Sequence, residues 1–232
     1  MGSRYGQFCP VAKAMELLDE RWTLLVIREL VCGSRHFNEL RRGVPRMSPA
    51  LLSKRLQRLI RAGLVERRPR GNRVDYVLTE AGRELQPIVD ALGTWGTRWI
   101  GELGDEDLDP HLLLWDMHRN VDHAVVPGGR AVVWFVFTDA AVPNREWWLV
   151  ITPDEVDVCD SDPGYPVTVG VETTLRRLVE IWRGDVDWAA AVRAGEVVLD
   201  GPPSIRRTLP GWFTLSAYAG VPRTGRATVR LA

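Results

Sequence analysis

The segment SPALLSKRLQRLIRAG, residues 48–63, decides the fold of the first part of the chain. Ser48 followed by Pro49 is a typical helix start, because serine caps free backbone N–H groups and proline suits the first helical turn. Gly63 is a typical helix end. The apolar residues between them repeat at helical spacing and predict one buried face, formed by Leu52, Leu56, Leu59 and Ile60.

The next residues change from helical to alternating spacing. Short alternating runs around 64–68 and 74–78 flank a loop that contains Pro69, Gly71 and Asn72. Turn-forming residues between two such runs are typical of a β-hairpin. The sequence therefore predicts a helix followed by a hairpin with an arginine-rich loop.

Helices are also predicted on both sides of this segment. Apolar stripes within residues 11–18 and 22–30 predict two helices upstream, and Gly33 ends the second. Downstream, Thr79 opens a helix that we expect to run to about Leu103. The acidic, turn-rich stretch that follows suggests a domain boundary, so the expected domains are residues 1–103 and 104–232.

Charge is distributed unevenly although the net charge of the chain is zero. Residues 1–102 carry a net charge of +7, and residues 103–232 carry −7. Within residues 35–73, 12 basic residues stand against two acidic ones, a net of +10. Such a block is typical of a surface that binds a polyanion, with a solvated basic face as the alternative.

The helix at 48–63 and the hairpin together suggest binding to double-stranded DNA, because a helix fits the major groove. Residues near the start of such a helix usually contact base edges. The candidates for reading bases are Ala50, Ser53, Lys54 and Gln57. The candidates for phosphate contacts are Ser48, Arg58, Arg61, Arg67, Arg70 and Arg73. Alternatively, Ser48 only caps the helix and the loop arginines are only solvated.

Three stretches together resemble the HxlR-type winged helix-turn-helix transcriptional regulators. They are CPVAKAMELLDERWTLLVIRELVCG (9–33), FNELRRGVPRMSPALLSKRLQRLIRAGLVERR (37–68) and VDYVLTEAGRELQPIVDALGTWG (74–96). The resemblance implies a homodimer, joined through the first and last helices of the domain, that binds a pseudo-palindromic operator. An apolar stripe suits that dimer role, although it could pack within one chain, and it comprises Leu85, Ile88, Leu92, Trp95 and Trp99.

Cys9 matches a position that is a redox- or electrophile-sensing thiol in some HxlR-type regulators. The resemblance therefore leaves open a second hypothesis, in which the protein senses oxidants or electrophiles through Cys9. In that case the second domain serves only dimerisation.

The second domain is predicted to mix helices and strands, which makes the whole chain an α+β protein. Residues 131–139 and 146–160 have the composition of strands, and residues 173–184 have a helical apolar stripe. The stretch ETTLRRLVEIWRGDVDWAAAVRAGEVVLDGPPSIRRTL (172–209) resembles the closing half of a sterol-carrier-protein-type domain. That resemblance implies a small curved sheet and helices around an apolar cavity.

An apolar cavity would suit a hydrophobic or aromatic small molecule, and tryptophans line such pockets well. The candidate ligand-binding residues are Trp134, Trp147, Trp148, Trp182 and Trp212. Each of them could equally belong to an ordinary core. Our hypothesis is a regulator, with repression as the expected outcome, whose effector changes the spacing of the two DNA-reading helices.

We expect no catalytic activity, metal or cofactor. His111, His118 and His123 do not share one helix face, and no metal-binding or nucleophile motif accompanies them. The first residues lack a secretory signal, and no apolar run is long enough to cross a membrane. We therefore expect a cytoplasmic protein.

Overall fold

The computed structural model describes residues 5–100 and 103–224. The chain divides into two compact units, Met1–Thr94 and Trp95–Ala232. The domain boundary that the sequence predicts, between residues 103 and 104, lies nine residues after this division. It stays a prediction. No helix of the described residues is both long and apolar enough to cross a bilayer.

From residue 5 onward, the first unit forms four helices, a hairpin and two further helices. Its elements are α1 (Pro10–Leu18), α2 (Thr23–Val31), α3 (Phe37–Gly43), α4 (Pro49–Arg61), β1 (Val65–Arg70), β2 (Arg73–Leu78), α5 (Glu80–Arg83) and α6 (Gln86–Trp99), whose last turn belongs to the second unit. The antiparallel pair β1–β2 is the predicted hairpin, with Arg70 opposite Arg73 across the loop. This order of helices and hairpin confirms the winged helix-turn-helix fold of the first unit.

Burial of the leucine face anchors α4. Leu52, Leu56 and Leu59 are at most 1% exposed, and they pack in one core with side chains of α2 and α3. Burying each such side chain contributes about 1.5–3 kcal/mol. The hydroxyl of Ser48 accepts the N–H of Leu51 at 3.3 Å, so the predicted cap is present.

The single helix expected from Thr79 to about Leu103 is wrong in its continuity. Thr79 caps the short helix α5 by accepting the N–H of Gly82 at 3.1 Å. Pro87 has no N–H to donate to the carbonyl of Arg83, so a continuous helix loses a hydrogen bond there. The chain turns at Glu84 and begins α6 at Gln86.

The second unit contains a five-stranded mixed sheet with helices. Its elements are α7 (Pro110–Met117), β3 (Ala131–Phe137), β4 (Glu146–Ile151), β5 (Val156–Cys159), β6 (Val169–Thr173), α8 (Leu175–Trp182), α9 (Trp188–Arg193), β7 (Val197–Asp200) and α10 (Pro203–Thr208). The strand order is β5-β4-β3-β6-β7. Among these strands, β3 and β6 run parallel, and the other neighbours are antiparallel.

Two features of this unit differ from the sequence-based expectation. The segment 146–160 forms two strands, because the chain turns back at Thr152–Glu155. Strand β6 was not anticipated, yet it pairs with β3 and so joins the two halves of the sheet. The mixed α+β class of the chain is confirmed by both units.

Candidate nucleic-acid interface

Helix α4 presents one polar face while its leucines are buried. All four residues expected to read bases are exposed, namely Ala50, Ser53, Lys54 and Gln57. They lie at helical spacing along a single face, and Arg61 extends this face by one more turn and is also exposed. An exposed helix face that ends in basic side chains can enter a DNA groove and contact its bases and phosphates.

The two arginines between these positions make contacts within the unit. Arg58 donates to the carbonyl oxygen of Glu16 at 2.6 Å and also contacts the carboxylate of Glu20. Arg55 is buried, donates to the carbonyl of Arg21 at 3.1 Å, and forms an ion pair with the other oxygen of Glu20 without hydrogen-bond alignment. Arg58, expected to contact phosphate, is thus engaged with the turn between α1 and α2.

This clamp on Glu20 was missed by the sequence analysis. Arginines three residues apart on one helix gave a weak signal, because both could equally point to solvent. The clamp fixes the orientation of α4 against the turn between α1 and α2, so Arg55, Arg58 and Glu20 act as positioning residues for the exposed face.

The hairpin carries the other predicted cations. Arg67, Arg70 and Arg73 are exposed, whereas the neighbouring Arg68 forms an ion pair with Glu66. The N–H of Tyr76 in β2 donates to the carbonyl of Arg35 at 2.8 Å, which fixes the base of the hairpin to the loop before α3.

A buried carboxylate on the hairpin faces two basic groups. Asp75 is 5% exposed, and its carboxylate lies 2.9 Å from Nδ1 of His36, without the alignment of a hydrogen bond. Its other oxygen lies 3.9 Å from the guanidinium of Arg70. The wing therefore contacts the body of the unit through Asp75 as well as through its backbone.

A second buried carboxylate supports the helices before α4. Glu29 in α2 is 2% exposed and accepts hydrogen bonds from Arg28 at 2.8 Å and from the hydroxyl of Ser34 at 3.2 Å. Arg28 also donates to the carbonyl oxygen of Gly43 at 2.8 Å. A Cβ built on Gly43 would overlap the carboxylate of Glu29, so an alanine at the end of α3 would force this carboxylate to move.

Apolar side chains remain exposed on α1 and α6. Ile88, Leu92 and Trp95 of the expected dimer stripe are exposed, each by about half of its surface. Leu85 and Trp99 are less exposed than these three. On α1 and just before it, the exposed apolar residues are Phe8, Val11 and Met15. The α1 stripe therefore faces outward instead of completing the core, and only Leu18 of that helix is buried.

The five candidate tryptophans do not surround one site. Trp147, Trp182 and Trp212 are buried in the large core on one face of the sheet. Trp134 and Trp148 belong to a smaller cluster with Val132 and Val150, on the other face. Alternation along β3 and β4 is the reason, since successive side chains of a strand point to opposite faces.

The remaining candidates have ordinary surroundings. Cys9 is half-buried at the start of α1 and is a free thiol. His111 stacks on Trp115, with ring centroids 6.3 Å apart. Within residues 5–100 and 103–224, no three His, Cys, Asp or Glu side chains are grouped so that they could hold a metal ion.

Known proteins resemble the first part of the chain. Residues 17–103 match the family model described as HxlR-like helix-turn-helix. The HTH-type transcriptional regulator YvaP of Bacillus subtilis strain 168 is 36% identical over 98 residues, which cover 40% of this chain and 91% of YvaP. The HTH-type transcriptional regulator Rv3095 of Mycobacterium tuberculosis is 43% identical over 95 residues, which cover 39% of this chain and 58% of that protein.

A solved structure resembles the same share of the chain. The redox regulator HypR in its oxidized form is 33% identical, with a TM-score of 0.36, and the match covers 38% of this chain and 94% of HypR. Residues 104–224 lie outside the matched family model. Through its winged first unit, the chain belongs to the HxlR-like helix-turn-helix family of transcriptional regulators.

Proposed function

We propose that the protein is a homodimeric transcriptional repressor that reads a two-fold operator through α4 and contacts phosphates through the β1–β2 hairpin. The observation that carries this proposal is the exposed face of α4, which offers Lys54 and Gln57 above a buried leucine face. Lysine and glutamine are suited to guanine and adenine edges in the major groove. The exposed hairpin arginines supply charge for the backbone of the duplex.

The exposed apolar stripes support the homodimer. Val11 is 69% exposed on α1, and Ile88 and Leu92 are 47% and 49% exposed on α6. Apolar surface of this kind is typical of an interface between protein chains. A two-fold dimer would present two copies of α4, which matches an operator with two half-sites.

The DNA-reading role can be tested on the full chain with DNA that flanks its own coding region. Lys54→Ala and Gln57→Ala should each weaken specific binding by about 1–3 kcal/mol, roughly 5- to 150-fold in Kd. Lys13→Ala and Gln86→Ala are matched controls, because both residues are exposed and lie outside α4. If the α4 variants bind as the controls do, α4 does not read the operator.

The dimer has a separate test. Leu92→Asp places a charge in the proposed interface, so the variant should sediment as a monomer and lose most of its operator affinity. Asp90→Ala on the same helix is the control and should remain dimeric, because this exposed charge lies outside the apolar stripe. A Leu92→Asp variant that stays dimeric would exclude this stripe from the interface.

We further propose that the second unit is sterol-carrier-like and binds a hydrophobic or aromatic small molecule that alters operator binding. The helix, alanine-rich short helix and strand expected for residues 172–209 correspond to α8, α9 and β7. The mixed sheet rich in aromatic residues supports an apolar ligand. Thermal-shift screening with lipids and aromatic metabolites tests this role. If no compound raises the unfolding temperature of the chain, the ligand-binding proposal is wrong.

A redox-sensing role through Cys9 is the second candidate. The observation that favours it is a free, partly accessible thiol at the start of α1, next in the chain to the exposed apolar residues Phe8 and Val11. Oxidation there should change operator affinity in the wild type and not in Cys9→Ser. Neither role includes a catalytic step, so we expect no turnover by the chain.

A further inference from the structure

A cavity of about 750 Å³ lies within the second unit, between the last turn of α6 and helix α8. Its far wall is completed by Arg223 and Thr224 near the end of the described chain. The chain that leads to this segment contacts the end of α8, since the N–H of Ser216 donates to the carbonyl of Trp182 at 3.2 Å. Pockets of this size accommodate small organic molecules.

Cations dominate the polar part of this cavity. Five arginines line it, against Glu180 and Asp185, and two of the five also pair with carboxylates next to the lining, Arg176 with Asp105 and Arg177 with Glu196. The arginines are Arg98, Arg176, Arg177, Arg183 and Arg223. Because the second half of the chain is acidic as a whole, this concentration of arginine is a local feature.

Two of these arginines share a single carboxylate. Arg183 lies 3.4 Å from one oxygen of Asp185, and Arg223 contacts the other oxygen. Arg177, in contrast, has two carboxylates of its own, Glu180 and Glu196. The pair at Asp185 therefore holds one positive charge more than its shared partner neutralises.

The electrostatics of Arg183 agree with this surplus. Burial lowers the pKa of its guanidinium, and the charge of Arg223 lowers it further, whereas Asp185, Glu180 and Asp107 act in the opposite direction. A bound anion would be attracted by both guanidinium groups. The planar guanidinium group of arginine matches the geometry of a carboxylate, so this pair is suited to a carboxylate ligand.

Most of the uncharged lining is apolar. Trp99, Leu103, Leu108, Val179 and Val186 contribute to the cavity walls. A small inorganic ion would leave this apolar surface uncovered, whereas a molecule with an apolar body and one negatively charged end would cover it. The lining is therefore complementary to an amphipathic anion.

We propose that this cavity binds an amphipathic organic carboxylate, with its charged end at Arg183 and Arg223 and its apolar body against Trp99, Leu108 and Val179. The inference rests on the proposed effector role of the second unit. It places the ligand-binding site at the end of α6 and not at the tryptophans of the sheet. It also specifies a negative charge, which the proposal of an apolar ligand lacks.

The same arginine links the cavity to α6. Arg223 donates to the carbonyl oxygen of Thr97 at 2.9 Å. The hydroxyl of Thr224 donates to the carbonyl oxygen of Arg98 at 2.8 Å. The last carbonyls of a helix lack partners within the helix, so these donors act as its C-terminal cap. A carboxylate that attracts Arg223 competes with this cap, on the helix that also carries the exposed stripe.

Calorimetric titration of the full chain with four probes tests the charge and the apolar body separately. Octanoate has both features, 1-octanol lacks the charge, acetate lacks the body, and octylammonium has the opposite charge. We expect octanoate to bind at least tenfold more tightly than each of the others. Equal affinity for octanol, or no binding of octanoate, would overturn the proposal.

Variants locate the site and remain informative if one of them folds poorly. Arg183→Ala and Arg223→Ala should each weaken octanoate binding about tenfold or more, whereas Arg193→Ala on the exposed side of α9 should not. Asp185→Asn should tighten binding, because it removes the carboxylate that competes with the ligand. An unchanged octanoate affinity in all three cavity variants would place the ligand elsewhere.

The binding experiment also separates this inference from the proposed function, because it contains no DNA. If octanoate binds with the expected dependence on charge and variants, the site stands, whatever the effect on operator affinity. If octanoate fails while Lys54→Ala still weakens operator binding, the cavity assignment is wrong and the DNA-reading proposal stands.

Discussion

Gly43 at the end of α3 offers a prediction whose size follows from the structure. A methyl group at this position would overlap the buried carboxylate of Glu29, which must then move away from Ser34. Losing a hydrogen bond to a charged group costs about 1.5–3 kcal/mol, and overpacking a core costs about 1–3 kcal/mol. A Gly→Ala change also reduces the entropy of the unfolded chain, which offsets about 0.4–1 kcal/mol.

Gly43→Ala should therefore destabilise the first unit by about 3 kcal/mol. The assay is hydrogen exchange of the amides of α2 and α4 in the full chain, which reports on this unit separately from the second. A loss of this size corresponds to exchange that is faster by roughly two orders of magnitude. For comparison, Gly96→Ala should change the exchange of the α6 amides little, because the nearest atom to its added Cβ is 3.9 Å away.

A double-mutant cycle tests the cause. In a Glu29→Ala background the overlap is absent, so adding Gly43→Ala should change the stability of the first unit by less than about 1 kcal/mol. The two substitutions then show a coupling of about 2–3 kcal/mol. If Gly43→Ala accelerates exchange equally in both backgrounds, the conflict with Glu29 is not what requires glycine.

Three other perturbations have expected outcomes. Glu20→Gln should lower the free energy of unfolding by about 1–2 kcal/mol in urea titrations, because it weakens the contacts of two arginines of α4 with the α1–α2 turn. Arg70→Ala together with Arg73→Ala should reduce the slope of log K against log salt for DNA binding by about 0.9 for each phosphate that is no longer neutralised. Asp116→Ala should destabilise the second unit by about 1–3 kcal/mol in thermal unfolding, because Trp182 donates its indole N–H to Asp116 at 2.7 Å.

Each of these three has a control within the chain. Lys13→Gln removes only an exposed ion pair with Glu16, so it should not change stability measurably. Arg68→Ala should change the salt slope less than the other hairpin variants, since its charge is paired with Glu66. Asp116→Asn retains an acceptor for the indole and should be milder than Asp116→Ala. If a control matches its test variant, the interaction named for that test is not the cause.

Local signals in the sequence were sufficient for α4 and the hairpin. The cap at Ser48, the leucine spacing of α4 and the Gly71–Asn72 loop each depend on residues only a few positions apart. Such signals can be recognised without knowledge of the fold, because helix caps and tight turns are formed by neighbouring residues. The exposed face of α4 follows directly from the burial of its leucines.

Contacts between distant residues needed the tertiary structure. Arg55 and Lys54 are adjacent in sequence and similar in charge, yet one is buried against the α1–α2 turn and the other is exposed. Trp147 and Trp148 likewise differ only in the face of the sheet that each one joins. No property of the single residue distinguishes these cases, because the position of the neighbouring elements decides which side chain finds a partner.

The sequence by itself determined helices α1, α2 and α4, the hairpin, the basic block and the family of the first unit. Only the tertiary structure brought Arg223 next to Arg183 on the shared carboxylate of Asp185, 38 residues away from Arg223 in the chain. Local conformation depends on short-range sterics and hydrogen bonds, whereas a binding cavity depends on packing between elements that are far apart in sequence.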